Sequence, residues 1–201
     1  MLSQDRPNKK IEVPKQKKFL DVNCGCSNTL QIGTYFGIFL IALAARFLNL
    51  YFIDSLTIHA NIEDSGIYLM GAKSWVESGF FSVATDTGFR AETERMPGYF
   101  VFLIPFVSGF ESSVPLIVAT QSFIDATSCV LIARLAAFVD SHLAIISGIT
   151  AAFWHNTILH SSLILTETIF LFLLCCLLVT SAFFLTTSKL RYAVLAGLIC
   201  G

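Results

Sequence analysis

With 201 residues, 55% of them hydrophobic and only 13% charged, and with nineteen phenylalanines and a mean hydropathy of +0.72, the chain is too apolar for a soluble domain of its size. It reads as a membrane protein. The net charge of −1 points to no partner, and no nucleic-acid partner is expected. The placement of charge is more informative, because Arg6, Lys9, Lys10, Lys15, Lys17 and Lys18 all precede the first long apolar run.

Residues 1–29 therefore read as a basic cytoplasmic tail and 30–53 as the first transmembrane helix. Leu30 to Ile53 exceeds the ~20 residues that cross ~30 Å of hydrocarbon, and basic flanks stay in the cytoplasm. A secretory signal would have a shorter apolar core and a small-residue cleavage site, and Asp21 to Cys24 (DVNC) is no lipoprotein box. The six cysteines form no ligand or disulfide pattern. Cys24 and Cys26 have no second pair, while Cys129, Cys175, Cys176 and Cys200 sit in apolar runs as small hydrophobes. Arg46, in the outer half of the span, is expected to snorkel to the headgroups ~10 Å away, with a phosphate or Asp54 as alternative partners.

Residues 54–112 read as an external loop. Its first half predicts a helix from about Ser65 to Ser78, capped by Asp64 or Ser65 and stopped at Gly79, with Ile67, Met70 and Trp75 on an apolar side that lies on the membrane surface. From position alone Asp64 is an N-cap or a proton acceptor, and spacing does not choose between them. The loop closes on ETERMPGYFVFLIPF, residues 92 to 106. The apolar stretch Gly98 to Phe110 predicts a helix of ~20 Å, too short to span, that begins after Pro97 and dips into the membrane. Leaving that segment uncrossed puts Arg134, Lys189 and Arg191 on the cytoplasmic side.

Residues 113–201 read as further transmembrane helices: Val114 to Ala133, His142 to Leu159, Ile169 to Leu185, and one beginning at Tyr192 that meets the end of the sequence at Gly201, which reads as truncation. Asp125 lies too deep in its span to snorkel and is expected to face a protein interior, paired or protonated. Trp154 predicts an interfacial anchor. His155 and His160, five apart, do not share a helical face, so no metal motif is read there. Glu167 sits where a span begins, and a carboxylate at a helix N-terminus is favourable with no function at all.

Several of these residues together resemble a known family. Asp64-Ser65 followed by Tyr68, a helix ending in Ser78-Gly79-Phe80, and Arg95-Met96-Pro97-Gly98-Tyr99 opening an apolar run are similar to the first external loop of GT-C-type membrane glycosyltransferases. The pattern is that of the protein O-mannosyltransferase and lipid A aminoarabinose transferase group. The stretch Leu163 to Phe170, with Glu167, resembles the acidic residue those proteins place at the start of a later span. The resemblance covers roughly residues 31 to 201 as the front part of a longer architecture. It implies an all-α, polytopic membrane fold with a GT-C-like transmembrane module, truncated here. It also implies a sugar moved from a polyprenyl-phosphate donor to a lipid, glycan or protein acceptor outside the cytoplasmic membrane. Asp64 would then be the general base, Arg95 the cation that grips the donor phosphate, and Glu167 a substrate-binding residue in the same cavity. Many relatives have Asp-Glu where this chain has Asp64-Ser65, and a second proline where it has Met96. No cofactor is implied, and a divalent metal is left open. Two other functions are carried alongside: a transporter or flippase with Arg46, Asp125 and Glu167 along a path, and a noncatalytic fragment or assembly subunit.

Overall fold

A computed structural model describes residues 28–52, 63–86, 88–109 and 114–200; the basic tail, Cys24, Cys26 and Asp54 lie outside the described residues. Among the described residues, three helices are long and apolar enough to cross a membrane: α1 (Asn28–Phe52), α4 (Val114–Ala136) and α7 (Glu167–Thr187). All three fall within a few residues of the apolar runs that predict them. Most of the remaining described residues are also helical: α2 (Glu63–Ser78), α3 (Gly98–Gly109), α5 (Ser141–Ala152), α6 (His155–Ser161) and α8 (Leu190–Cys200).

The structure departs from the expected spans at His142 to Leu159. This run is two helices, α5 of 12 residues and α6 of 7, and neither reaches the ~20 residues of a crossing. Phe153 and Trp154 leave the helical conformation between them, with Trp154 extended at φ −68 and ψ 110. No proline or glycine marks this break. What holds it is a partner from another helix, since the Ala152 carbonyl at the end of α5 accepts a hydrogen bond from Arg46 Nη1 at 3.2 Å.

Small side chains let α1, α4 and α5 approach closely. Ala42 of α1, Ala126 and Ala133 of α4 and Ala152 of α5 are buried with Ile38 and Cys129 in one cluster. Such residues are what membrane helices use to bring backbones together, because lipid supplies no hydrophobic drive between them.

A second, aromatic cluster sits where α4 and α7 begin. It packs Tyr68 and Trp75 of α2 and Tyr99, Phe100 and Leu103 of α3 against Ile117 of α4 and Ile164 of the loop before α7. Gly71 fixes how closely α2 lies on α3: a Cβ built there collides with the Phe100 ring, and Phe100 is fully buried. Alanine at this position would gain about 1 kcal/mol of helix propensity and lose about 1–3 kcal/mol to overpacking. Gly71→Ala is therefore expected to lower the melting temperature in detergent, and a rise would show that Phe100 can move aside. Within α3, Pro105 interrupts the hydrogen-bond ladder of an otherwise apolar helix.

The expected all-α fold has one exception, a two-stranded hairpin between α2 and α3. Strands β1 (Ser82–Thr85) and β2 (Gly88–Ala91) pair antiparallel, Ser82 opposite Ala91 through Thr85 opposite Gly88. Gly79, at φ +76, stops α2 as expected, its amide bonding to the Trp75 carbonyl at 3.0 Å. Ser82 then pins the first strand to the helix, through its hydroxyl to Ser78 Oγ at 2.7 Å and to the Ser74 carbonyl at 3.3 Å.

Candidate functional site

Helix α2 begins at Glu63, so Asp64 stands in its first turn rather than before it as a cap. An acidic side chain there is still favoured by the helix dipole. Tyr68 follows one turn later on the same face, since positions four apart are neighbours on a helix. Arg95 meets both of them. Its Nη2 is 3.5 Å from Asp64 Oδ1, and its guanidinium carbon is 5.8 Å from the centre of the Tyr68 ring.

The loop that delivers Arg95 is short and internally bonded. The Glu92 carboxylate accepts the Glu94 amide at 2.7 Å, closing a tight turn, and the Val101 amide reaches back to the Pro97 carbonyl at 3.0 Å to start α3. The first amides of α3 therefore lie just beyond Arg95 in the chain, a cation followed by the positive end of a helix.

Beneath this pair the aromatic cluster is continuous. Tyr68 meets Tyr99 edge-on at 5.0 Å between centroids and Phe100 at 5.4 Å. The Tyr99 hydroxyl donates to Gln121 Oε1 at 3.4 Å, and Gln121 Nε2 donates to the carbonyls of Leu163 at 3.1 Å and Leu165 at 3.4 Å. Burial pushes the Tyr99 hydroxyl above its ordinary pKa, against the hydrogen bond to Gln121. Tyr99 is thus a donor at neutral pH and not a base.

The three residues singled out from sequence are therefore unequally joined. Asp64 and Arg95 form an ion pair. Glu167 is exposed at the start of α7, with no ion pair or hydrogen bond to Asp64 or Arg95 among the described residues. Two hydroxyls on these helix starts, Ser65 Oγ of α2 and Thr168 Oγ1 of α7, are buried without a hydrogen-bond partner. Among the described residues no three His, Cys, Asp or Glu side chains come together as a metal-binding set.

Gln121 is the residue that sequence reasoning passed over. The signal was present: an amide in an apolar span has to find a partner, which is the argument applied to Asp125 four residues later.

Asp125 is paired, as expected, and its partner is Arg46, which does not snorkel. Arg46 is fully buried, with Nη2 at 2.5 Å and Nε at 2.7 Å from Asp125 Oδ2. Its remaining hydrogen bonds go to the carbonyls of Ala42 at 2.8 Å and Ala152, and its Nη2 lies 3.3 Å from Cys129 Sγ. One guanidinium so ties α1, α4 and α5 together, which costs less than carrying it along a lipid-facing path to the headgroups. Asp125 also borders a cavity of about 430 Å³ lined by Cys129, Ser147, Thr150, Trp154 and Leu171. Ser128 and Thr157, also on its wall, spend their hydroxyls on backbone carbonyls of Ile124 and Trp154.

The chain matches no protein-family model, no curated protein and no solved structure.

Proposed function

We propose that this chain carries the catalytic loop of a membrane glycosyltransferase that moves a sugar from a polyprenyl-phosphate donor to a lipid, glycan or protein acceptor on the outer side of the cytoplasmic membrane. The observation that carries the reading is the meeting of Asp64 and Arg95, 31 positions apart in sequence, at 3.5 Å above Tyr68. The reaction needs both groups in one site. Asp64 takes the proton from the acceptor hydroxyl, whose oxygen then bonds to the anomeric carbon. The bond from that carbon to the phosphate oxygen breaks, and the phosphate leaves with the electron pair, held by Arg95 and by the first amides of α3. Glu167 accepts hydrogen bonds from hydroxyls of the sugar or acceptor. Arg46 and Asp125, which would line the path of a transporter, instead satisfy each other.

Donor binding tests the role of Arg95. A hydrogen bond to a charged group is worth about 1.5–3 kcal/mol, so Arg95→Ala is expected to weaken polyprenyl-phosphate sugar binding about tenfold to a hundredfold. Arg95→Lys keeps the charge without the two-pronged geometry and should lose less. Both variants should reach the membrane at the level of the unmodified chain. Equal donor affinity in Arg95→Ala and the parent would remove Arg95 from the site.

A further inference from the structure

The two ion pairs among the described residues are built differently, and the difference has a use. Arg46 and Asp125 are closed off from solvent and bound through two nitrogens at 2.5 and 2.7 Å, with backbone carbonyls holding the rest of the guanidinium. Arg95 and Asp64 touch at one 3.5 Å contact, with the Asp64 side chain 63% exposed. An exposed pair of that kind contributes about 0–1 kcal/mol and exchanges readily. Arg95 does not depend on Asp64 for its place, because the loop closed by Glu92 fixes its backbone and the Tyr68 ring lies under its guanidinium.

We propose that the Asp64 carboxylate occupies the anion position of the Arg95 site in the unliganded protein, and that a ligand phosphate displaces it. Arg95 binds one anion or the other. The incoming phosphate, which offers several strong acceptor oxygens, takes the guanidinium's two-pronged face and releases Asp64. The released carboxylate gives up its contact with the guanidinium, which leaves both of its oxygens open to the acceptor hydroxyl. Base and phosphate are thereby coupled: Asp64 is fully free for the acceptor hydroxyl when a donor phosphate holds Arg95. The proposal deepens the reading above and rests on it for the chemistry of the ligand, a phosphate.

Exchange makes a prediction opposite to that of a simple binding residue. The probe is inorganic pyrophosphate, titrated calorimetrically into the full chain in nanodiscs of zwitterionic lipid. Asp64→Asn removes the internal competitor and is expected to tighten pyrophosphate binding roughly two- to fivefold, the range of an exposed ion pair. In an Arg95→Ala background the same substitution is expected to give no gain, including the case in which neither Arg95→Ala variant binds. Unchanged affinity in Asp64→Asn, or no saturable binding to it, would overturn the exchange. So would an equal gain with and without Arg95, since that pattern is charge repulsion alone. The exchange and the transferase reading fail separately. Sugar transfer absent from the intact protein, with the Arg95-dependent gain present, sinks the transferase and leaves the exchange. Transfer present with no gain sinks only the exchange.

Discussion

Arg46→Ala is expected to destabilise the protein by about 3–5 kcal/mol, the cost of leaving one member of a buried ion pair without the other. The substitution strands the Asp125 carboxylate among α1, α4 and α5 and removes the donor from the Ala152 carbonyl where α5 ends. Asp125→Ala is expected to cost a similar amount by stranding the guanidinium. The double variant Arg46→Met/Asp125→Leu should recover most of the loss, because an apolar pair of similar volume replaces a buried ion pair at little or no cost. Recovery would be incomplete, since the Ala152 carbonyl remains unsatisfied at about 1–3 kcal/mol. Thermal unfolding in a mild detergent reads all four proteins. Arg46→Ala with the parent's melting temperature would mean that the pair is not closed in the membrane.

Asp64→Asn carries the second large effect, on chemistry and not on fold. Asp64 is exposed, and its pair with Arg95 is worth at most about 1 kcal/mol, so the variant should melt near the parent. In the proposed role of general base, however, Asp64 would supply about 100- to 10,000-fold in rate, and asparagine cannot accept the proton. Transfer from a polyprenyl-phosphate sugar is expected to fall by that factor while donor binding is kept or tightened. Near-normal transfer would leave Asp64 as an ordinary first-turn carboxylate. The separation of magnitudes decides the matter: an effect near tenfold belongs to electrostatics at the mouth of the site, and one of a thousandfold to proton transfer.

What the sequence could and could not reveal follows from where each feature gets its energy. The long spans were legible because hydrophobic length alone sets them, and α2 ended at Gly79 because only a glycine readily takes φ +76 there. The division of α5 from α6 was not legible. Nothing in Ala152-Phe153-Trp154-His155 breaks a helix by itself, and the carbonyl exposed by the break is satisfied by an arginine 106 residues earlier. The misplacement of Arg46 has the same origin: snorkelling is the answer for an isolated helix, and Asp125 on another helix offers a better one. The hairpin was missed because its strands are four residues each and one of them, Gly88 to Ala91, is exposed throughout, leaving little alternation to read. In the candidate site, the Asp64–Arg95 pair was anticipated only as two separate roles from resemblance. Gln121, which bonds Tyr99 to the turn before α7, required the partners to be seen.

Pro105 sets the depth at which α3 can rest. Its ring nitrogen has no hydrogen to give the carbonyl of Val101, one turn back, and both residues lie on the exposed side of the helix. In liquid hydrocarbon an unbonded carbonyl costs several kcal/mol, whereas among lipid headgroups water satisfies it freely. That side of α3 is therefore better matched to water than to lipid tails, while Tyr99, Phe100 and Leu103 on the other side are buried in protein. A helix twelve residues long and almost wholly apolar so carries one backbone acceptor on its exposed side that lipid tails alone would leave unsatisfied.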